Sequence, residues 1–175
     1  MGLNTVLPML EILRLRRGPQ DLPADQAVLV FWMGASVFSG ILVAAPMYGF
    51  ASSLFLSALD LAVLYLFVMV VLGLQGLSER WLQTYTAMVG ISALLGLVMA
   101  VLLGLFPPNF AEEGEMSALA LFAYLGLVAW LLLVFGHILQ QALGLAARIT
   151  GVAIAFGFII LSSVVTQLAL GLAGA

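Results

Sequence analysis

Long apolar runs separated by short polar or turn-forming stretches make up the sequence from residue 27 onward. Each run holds about 20 residues or more, which is the length that an α-helix needs to cross the hydrocarbon core of a bilayer. The stretches between the runs contain proline, glycine or several polar residues, and these residue types end helices. The pattern predicts five transmembrane helices, at about 27–47, 54–75, 82–105, 117–140 and 147–172.

The residues before the first run form a separate small element. Pro8 suits the first turn of a helix, and Gly18-Pro19 ends one. We predict a short helix over 8–17 that lies on the membrane surface, with a frayed tail as the alternative. The predicted domains are an interfacial helix and elbow over 1–26 and a five-helix transmembrane domain over 27–175.

Composition supports a membrane protein. Of the 175 residues, 65% are hydrophobic and only 7% are charged, whereas about a quarter of a soluble domain is charged. The predicted fold class is therefore an all-α polytopic membrane protein. The absence of cysteine excludes disulfides, thiolate catalysis and cysteine-based metal sites, and a single histidine excludes a multi-histidine metal or haem site within one chain.

The basic residues are all arginine, and in the five-helix arrangement they all fall on one side of the membrane. They precede the first predicted helix, or lie between the second and third or between the fourth and fifth. With five crossings these three places share one side, so the positive-inside rule puts the N-terminus in the cytoplasm and the C-terminus outside. We expect five arginines to face lipid headgroups: Arg14, Arg16, Arg17, Arg80 and Arg148.

Small residues recur at every fourth position on three of the predicted helices. Because lipid is as apolar as leucine, close backbone packing has to hold membrane helices together, and small side chains permit it. The stripes predict a compact bundle, although they would equally serve contact with another protein. Their members are Ser36, Gly40 and Ala44, then Ser92, Gly96, Ala100 and Gly104, then Ala147, Gly151 and Ala155.

Asp60 interrupts the apolar run LFLSALDLAVLYLF. A carboxylate at the centre of a membrane helix costs about 2.5–3.5 kcal/mol on insertion scales. The sequence places no arginine or lysine at the same depth, so three interpretations stay open. Asp60 is neutral and hydrogen-bonded to a hydroxyl or amide such as Ser57 or Gln167, or it faces a water-filled cavity, or it meets a cation on a partner subunit.

Other polar and aromatic residues at membrane depth are expected to be structural. His137 lies in the last turns of the fourth predicted helix, where we expect an interfacial hydrogen bond, with a ligand role as the alternative. Gln167 is expected to hydrogen-bond between helices. Tyr65 and Trp130 lie deep and are expected to face the bundle, whereas Trp32 is placed at the cytoplasmic interface.

Catalytic patterns are absent from the sequence. It has no glycine-rich phosphate loop, no histidine–glutamate pair at metal spacing and no paired carboxylates within one span. The acidic run Glu112, Glu113 and Glu115 is interpreted as a solvated turn, with divalent-cation binding as a remote alternative. We therefore expect no catalytic residues, no cofactor, no metal and no nucleic-acid partner; the expected partners are the lipid bilayer and other membrane protein subunits or the chain itself.

Two stretches resemble the Yip1 family in its short bacterial form: GLQGLSERWLQTYTAMVGISALLGLVMAVLLG and LVAWLLLVFGHILQQALGLAARITGVAIAF. The resemblance implies a five-span plan with a cytoplasmic N-terminus and a bacterial inner-membrane location. Eukaryotic members are linked to Rab GTPases and vesicle traffic, and they carry a longer N-terminal region with an Asp-Leu-Tyr-Gly-Pro motif. This sequence has no such motif, so the resemblance implies the fold and not GTPase binding.

Three hypotheses for function follow. The first is a non-enzymatic membrane subunit or scaffold that packs with itself or with a larger complex, which fits the small-residue stripes and the small extramembrane portion. The second is a small transporter or channel component that uses Asp60. The third, a membrane enzyme acting on lipids, needs a polar cluster at one interface, and the sequence provides none.

Overall fold

A computed structural model describes residues 5–106 and 118–173. Within these ranges the chain forms helices and no strands, which confirms the predicted all-α class. Four of the helices, α2 to α5, are long and apolar enough to cross a membrane. The helices are α1 (Val6–Leu13), α2 (Gln26–Leu74), α3 (Trp81–Leu105), α4 (Ala118–Leu143) and α5 (Arg148–Ala173), with short 3-10 turns at Pro19–Asp21 and Ser78–Arg80.

Helix α2 covers both of the first two predicted helices, and it is broken at Gly49. There the backbone adopts φ 76° and ψ 167°, a region essentially restricted to glycine. The two arms of α2, 26–48 and 50–74, fold back on each other. A Cβ placed on Gly40 would lie 2.5 Å from Ser57 Oγ, whereas a continuous helix would hold these residues about 25 Å apart.

Glycines in the left-handed conformation also end two helices. Gly76, with φ 68°, follows α2, and the N–H of Leu77 reaches back to the Leu72 carbonyl at 2.9 Å. Gly144, with φ 66°, follows α4, as the sequence predicted. These turns let consecutive helices reverse direction within a few residues.

Helix α1 is shorter than the predicted helix over 8–17, and it packs against the rest of the chain. Leu15, at φ 59°, turns the chain out of the helix before the arginines at 16 and 17. Met9 and Ile12 are fully buried, and Met9 packs against Gly90 of α3. The predicted boundary was therefore wrong, because a left-handed turn formed by a leucine gives no glycine signal in the sequence.

Trp32 of α2 forms a hydrogen bond with the residue that precedes α1. Its side chain is only 3% exposed, and its indole N–H donates a hydrogen bond to Thr5 Oγ1 at 3.0 Å. Gln83 of α3 donates a second bond, 2.7 Å long, to the Leu22 carbonyl. Trp32 thus lies near the start of α2, as the sequence places it, and the segment that precedes α2 covers its indole.

The segment 5–25, the turn 75–80 and the turn 144–147 meet at one end of the structure, which we name the arginine end. Arg80 of the second turn donates to the Ala142 carbonyl at 2.8 Å, and the Arg17 carbonyl contacts α4. Every residue of α3 from Thr84 to Ile91 is buried at this end. The opposite end, which we name the far end, contains Gly49 and exposes more of α3, so the core sits toward the arginine end.

Some of the predicted small-residue stripes lie at close helix contacts. A Cβ on Gly96 would lie 2.7 Å from Ser39 Oγ, and a Cβ on Gly151 would strike the Gly136 carbonyl of α4. The helices α4 and α5 therefore touch backbone to backbone at Gly136, which the stripe pattern missed. By contrast, Gly104 has no described atom within 4 Å of its Cβ position, so that part of the α3 stripe makes no such contact.

Candidate functional site

A cavity of about 420 Å³ lies between both arms of α2 and helices α3, α4 and α5. It begins beside the buried part of α3 and extends toward the far end, where Tyr48 lines it. Hydroxyl groups and one carboxyl group contribute its polar surface, and aliphatic side chains contribute most of the rest. The polar lining residues are Ser36, Ser39, Tyr48, Ser57, Asp60, Ser92 and Thr166.

Asp60 lies on the second arm of α2 and faces both the cavity and α5. Ser162 of α5 donates a hydrogen bond from its hydroxyl to Asp60 Oδ1 at 2.6 Å. The two residues are at matching heights, each about 21 Å along its helix from the arginine end at about 1.5 Å per residue. The carboxyl group thus has a hydroxyl partner on another helix, and that partner is Ser162 instead of the expected Ser57 or Gln167.

The charge of the cavity is set by one group. Among the described residues that line it, Asp60 is the only one with an ionisable acid or base at neutral pH. No arginine of the described chain lies at the height of Asp60, because all of them are at the arginine end. A ligand in the cavity therefore meets a single carboxyl group surrounded by hydroxyls.

The small residues explain why space remains there. Ser36, Gly40, Ala44, Ser92 and Gly96 were predicted as packing positions, and all five line the cavity. Gly40 and Gly96 bring neighbouring backbones together, while the short side chains around them leave the volume unfilled. One signal in the sequence could have indicated a site. The stripes on the first and third predicted helices contain Ser36 and Ser92, and Asp60 lies on the helix between them.

His137 belongs to a different part of the structure. It is buried in α4 near the arginine end, and its Nε2 lies 3.0 Å from the Arg17 carbonyl oxygen. Because a carbonyl only accepts, Nε2 carries the proton and donates. His137 therefore holds the N-terminal segment, and it does not meet Asp60; no group of three potential metal-binding side chains occurs in the described residues.

Two aromatic residues that were expected to face the bundle are partly exposed, and Gln167, which was expected to hydrogen-bond between helices, is exposed as well. Gln167 is exposed on α5, Trp130 is 40% exposed on α4, and Tyr65 is 38% exposed on the second arm of α2. Tyr65 makes edge-on ring contacts with Trp81 and Tyr85 at centroid distances of 5.8 and 5.6 Å. Tyr65 therefore contacts the bundle with part of its ring, whereas Trp130 is more exposed than predicted, because depth along a helix does not determine which face a side chain occupies. The hydrogen bond of Gln167 to another helix stays a prediction.

The arginines predicted to face headgroups are all exposed at the arginine end. Arg17 forms an ion pair with Glu11, and Arg80 borders a second pocket of about 310 Å³ together with Gln83 and Gln141. The acidic run at 112–115 lies outside the described residues. Arg17 and Arg80 are separated from the cavity by the buried segment of α3.

Comparisons of the chain with protein-family models, curated proteins and solved structures find no match. The resemblance to the Yip1 family therefore stays a prediction from the sequence. What the chain does has to be inferred from the cavity, its carboxyl group and the helices that hold them.

Proposed function

We propose that the chain is a five-span membrane protein whose cavity around Asp60 binds a small solute, so that it works as a small transporter or channel component. The observation that carries this proposal is the cavity itself. It is a partly open space between helices with mostly apolar walls, as small-molecule sites commonly are, and a carboxyl group is costly at membrane depth. A large cavity that contains such a group is more readily explained by ligand binding than by helix packing.

The five-span plan is supported by the shape of α2. Each of its arms is about 35 Å long at about 1.5 Å per residue, enough to cross a hydrocarbon core of about 30 Å. With both arms crossing, the helices form a bundle with the N-terminus and C-terminus on opposite sides. The gathering of the arginines at one end supports a cytoplasmic N-terminus, and the Yip1-like plan supports a bacterial inner membrane.

A solute site of this kind has to be reached from water, and introduced cysteines test that access. The chain contains no cysteine, so each variant carries a single thiol. Ser57 lines the cavity, whereas its neighbour Ala58 is exposed on the outer face of the same arm at nearly the same height. We expect a charged, membrane-impermeant thiol reagent added from the far side to label Ser57→Cys at least about tenfold faster than Ala58→Cys, because thiolates react and lipid excludes charged reagents.

Equal or slower labelling of Ser57→Cys would contradict solute access. It would favour the second candidate, a non-enzymatic subunit or scaffold, which the sequence also indicates. One observation supports that candidate: Gln167 is exposed on α5, where an amide that faces lipid gains by hydrogen bonding to a neighbouring helix. A scaffold needs that outer surface, and it does not need water in the cavity.

A further inference from the structure

We infer that the solute bound beside Asp60 is a protonated amine with a compact apolar body. The inference rests on the proposed function, because it specifies the class of solute for the same cavity. Three features of the lining carry it: the sign of its charge, the arrangement of its oxygen atoms and the size of its apolar wall.

The charge of the lining selects a cation. Asp60 is the only residue among the described lining residues that can carry a charge at neutral pH, and that charge is negative, so an anion would find no arginine or lysine to pair with. A neutral solute would gain no charge pairing, because Asp60 could then stay protonated. A cation favours the ionised carboxylate, pairs with it and offsets the cost of placing its charge there.

The oxygen atoms of the lining suit an ammonium group. Ser162 bonds Oδ1 of Asp60, and Oδ2 is the carboxyl oxygen that remains for a ligand. An ammonium group donates up to three hydrogen bonds and accepts none. The hydroxyls of Ser57, Ser92 and Thr166 line the same cavity and can accept the bonds that the carboxylate does not.

The volume indicates that the charge is attached to an apolar body. A cavity of about 420 Å³ is far larger than a water molecule, whose share of liquid volume is about 30 Å³, so a bare metal ion would leave it mostly unfilled. Pockets for small organic ligands typically begin at about 300 Å³ and have mostly apolar walls. Here the aliphatic wall is formed by Val43, Leu56, Leu95, Met99, Leu127 and Leu131.

Ser162 acts as a positioning residue in this arrangement. Its hydroxyl fixes one oxygen of the carboxyl group from α5, which orients the other oxygen without contributing charge. Removing the carboxylate and removing the hydroxyl should therefore have different consequences. The variants Asp60→Asn and Ser162→Ala form a matched pair, since the first loses the charge and keeps an oxygen that can accept the Ser162 hydrogen bond, whereas the second loses that bond and keeps the carboxyl group.

The test measures binding of three probes with a similar apolar body to the full chain in phosphatidylcholine nanodiscs, with empty nanodiscs as the reference. The probes are 2-phenylethylamine, which is protonated at neutral pH, the neutral 2-phenylethanol and the anionic 3-phenylpropionate. We expect the native chain to bind the amine at least about tenfold more tightly than either analogue, since hydrogen bonds to charged groups are the stronger ones. Asp60→Asn should lose that preference and still bind the alcohol, which shows that its cavity is intact. Ser162→Ala should keep the preference within about threefold, because the charge remains.

A second measurement distinguishes two sources of the amine, a soluble compound and a lipid headgroup. Phosphatidylcholine offers no primary amine, so replacing a third of it with phosphatidylethanolamine introduces a lipid competitor of the same chemistry. Lower affinity for 2-phenylethylamine in those nanodiscs would assign the site to lipid headgroups, and unchanged affinity would assign it to a soluble amine.

Equal binding of the amine and the alcohol by the native chain would overturn the inference, and so would unchanged amine affinity in Asp60→Asn. Neither result contradicts the proposal that the cavity binds a solute. Failure of the amine to bind at all also overturns the inference, and labelling of Ser57→Cys then decides whether the proposed function fails with it.

Discussion

At the scale of single residues, Asp60 is a candidate site residue because of its surroundings, and it belongs to no sequence motif. One of its carboxyl oxygens is held by Ser162, a residue 102 positions later in the chain. Sequence reasoning identified Asp60 because a carboxyl group in an apolar run is costly. It did not identify Ser162, because serine is common in membrane helices. Whether Ser162 points toward α2 depends on how α5 packs, which the sequence does not show.

His137 provides a residue-scale prediction at the other end of the molecule. Replacing it with alanine removes the hydrogen bond to the Arg17 carbonyl and leaves space in the packed end of α4. Since such a bond contributes about 1 kcal/mol, we expect amide hydrogen exchange in residues 14–22 to become about fivefold faster. Mass spectrometry of the protein in detergent measures this exchange.

The matched control for His137→Ala is Arg17→Ala. That variant loses the exposed ion pair with Glu11 and keeps the backbone carbonyl that His137 contacts, and exposed pairs contribute little. Exchange should therefore stay close to that of the native chain in the control. If His137→Ala left exchange unchanged, the histidine would not hold the N-terminal segment.

At the scale of helices, contact between α4 and α5 depends on two glycines that face each other. A Cβ on Gly136 would lie 2.8 Å from the backbone N and Cα of Val152, and a Cβ on Gly151 would strike the Gly136 carbonyl. Backbone atoms cannot move aside as a flexible side chain can. The close approach of these helices is therefore possible only while both positions lack a side chain.

Substituting either glycine with alanine tests this contact. Overpacking of this kind costs about 1–3 kcal/mol, so Gly136→Ala and Gly151→Ala should lower the thermal unfolding midpoint in detergent by several degrees. Gly126 on α4 and Gly157 on α5 are matched controls, because no described atom lies within 4 Å of their Cβ positions. Their alanine variants should match or slightly exceed the native midpoint, since alanine favours helix. Equal midpoints for Gly136→Ala and Gly126→Ala would show that the contact is unimportant.

The sequence predicted the helices far better than it predicted their faces. Apolar runs and Gly144 placed α3, α4 and α5 within a few residues of their observed ends. In contrast, Tyr65 and Trp130 were assigned to the interior and are 38% and 40% exposed. A lipid-facing surface and a protein interior are both apolar, so hydrophobic periodicity cannot separate them as it does in a soluble protein.

At the scale of the whole molecule, the cavity exists only because the two arms of α2 lie side by side. Small residues on the first arm and on α3 permit the approach, Gly49 permits the reversal, and Asp60 on the second arm then faces the space that is left. The stripes predicted close packing, and they could not predict a void, because a cavity depends on the side chains of five helix segments at once. The proposed solute site therefore requires both arms to cross the membrane.

The most direct test of that claim is the sidedness of three positions in one experiment. Reporter tags that are active only on one side of the membrane are fused at the N-terminus, at the Gly49 turn and at the C-terminus. We predict a cytoplasmic N-terminus, with the Gly49 turn and the C-terminus both outside. A Gly49 turn on the same side as the N-terminus, or both termini on one side, would contradict the five-span plan and remove the basis for the cavity around Asp60.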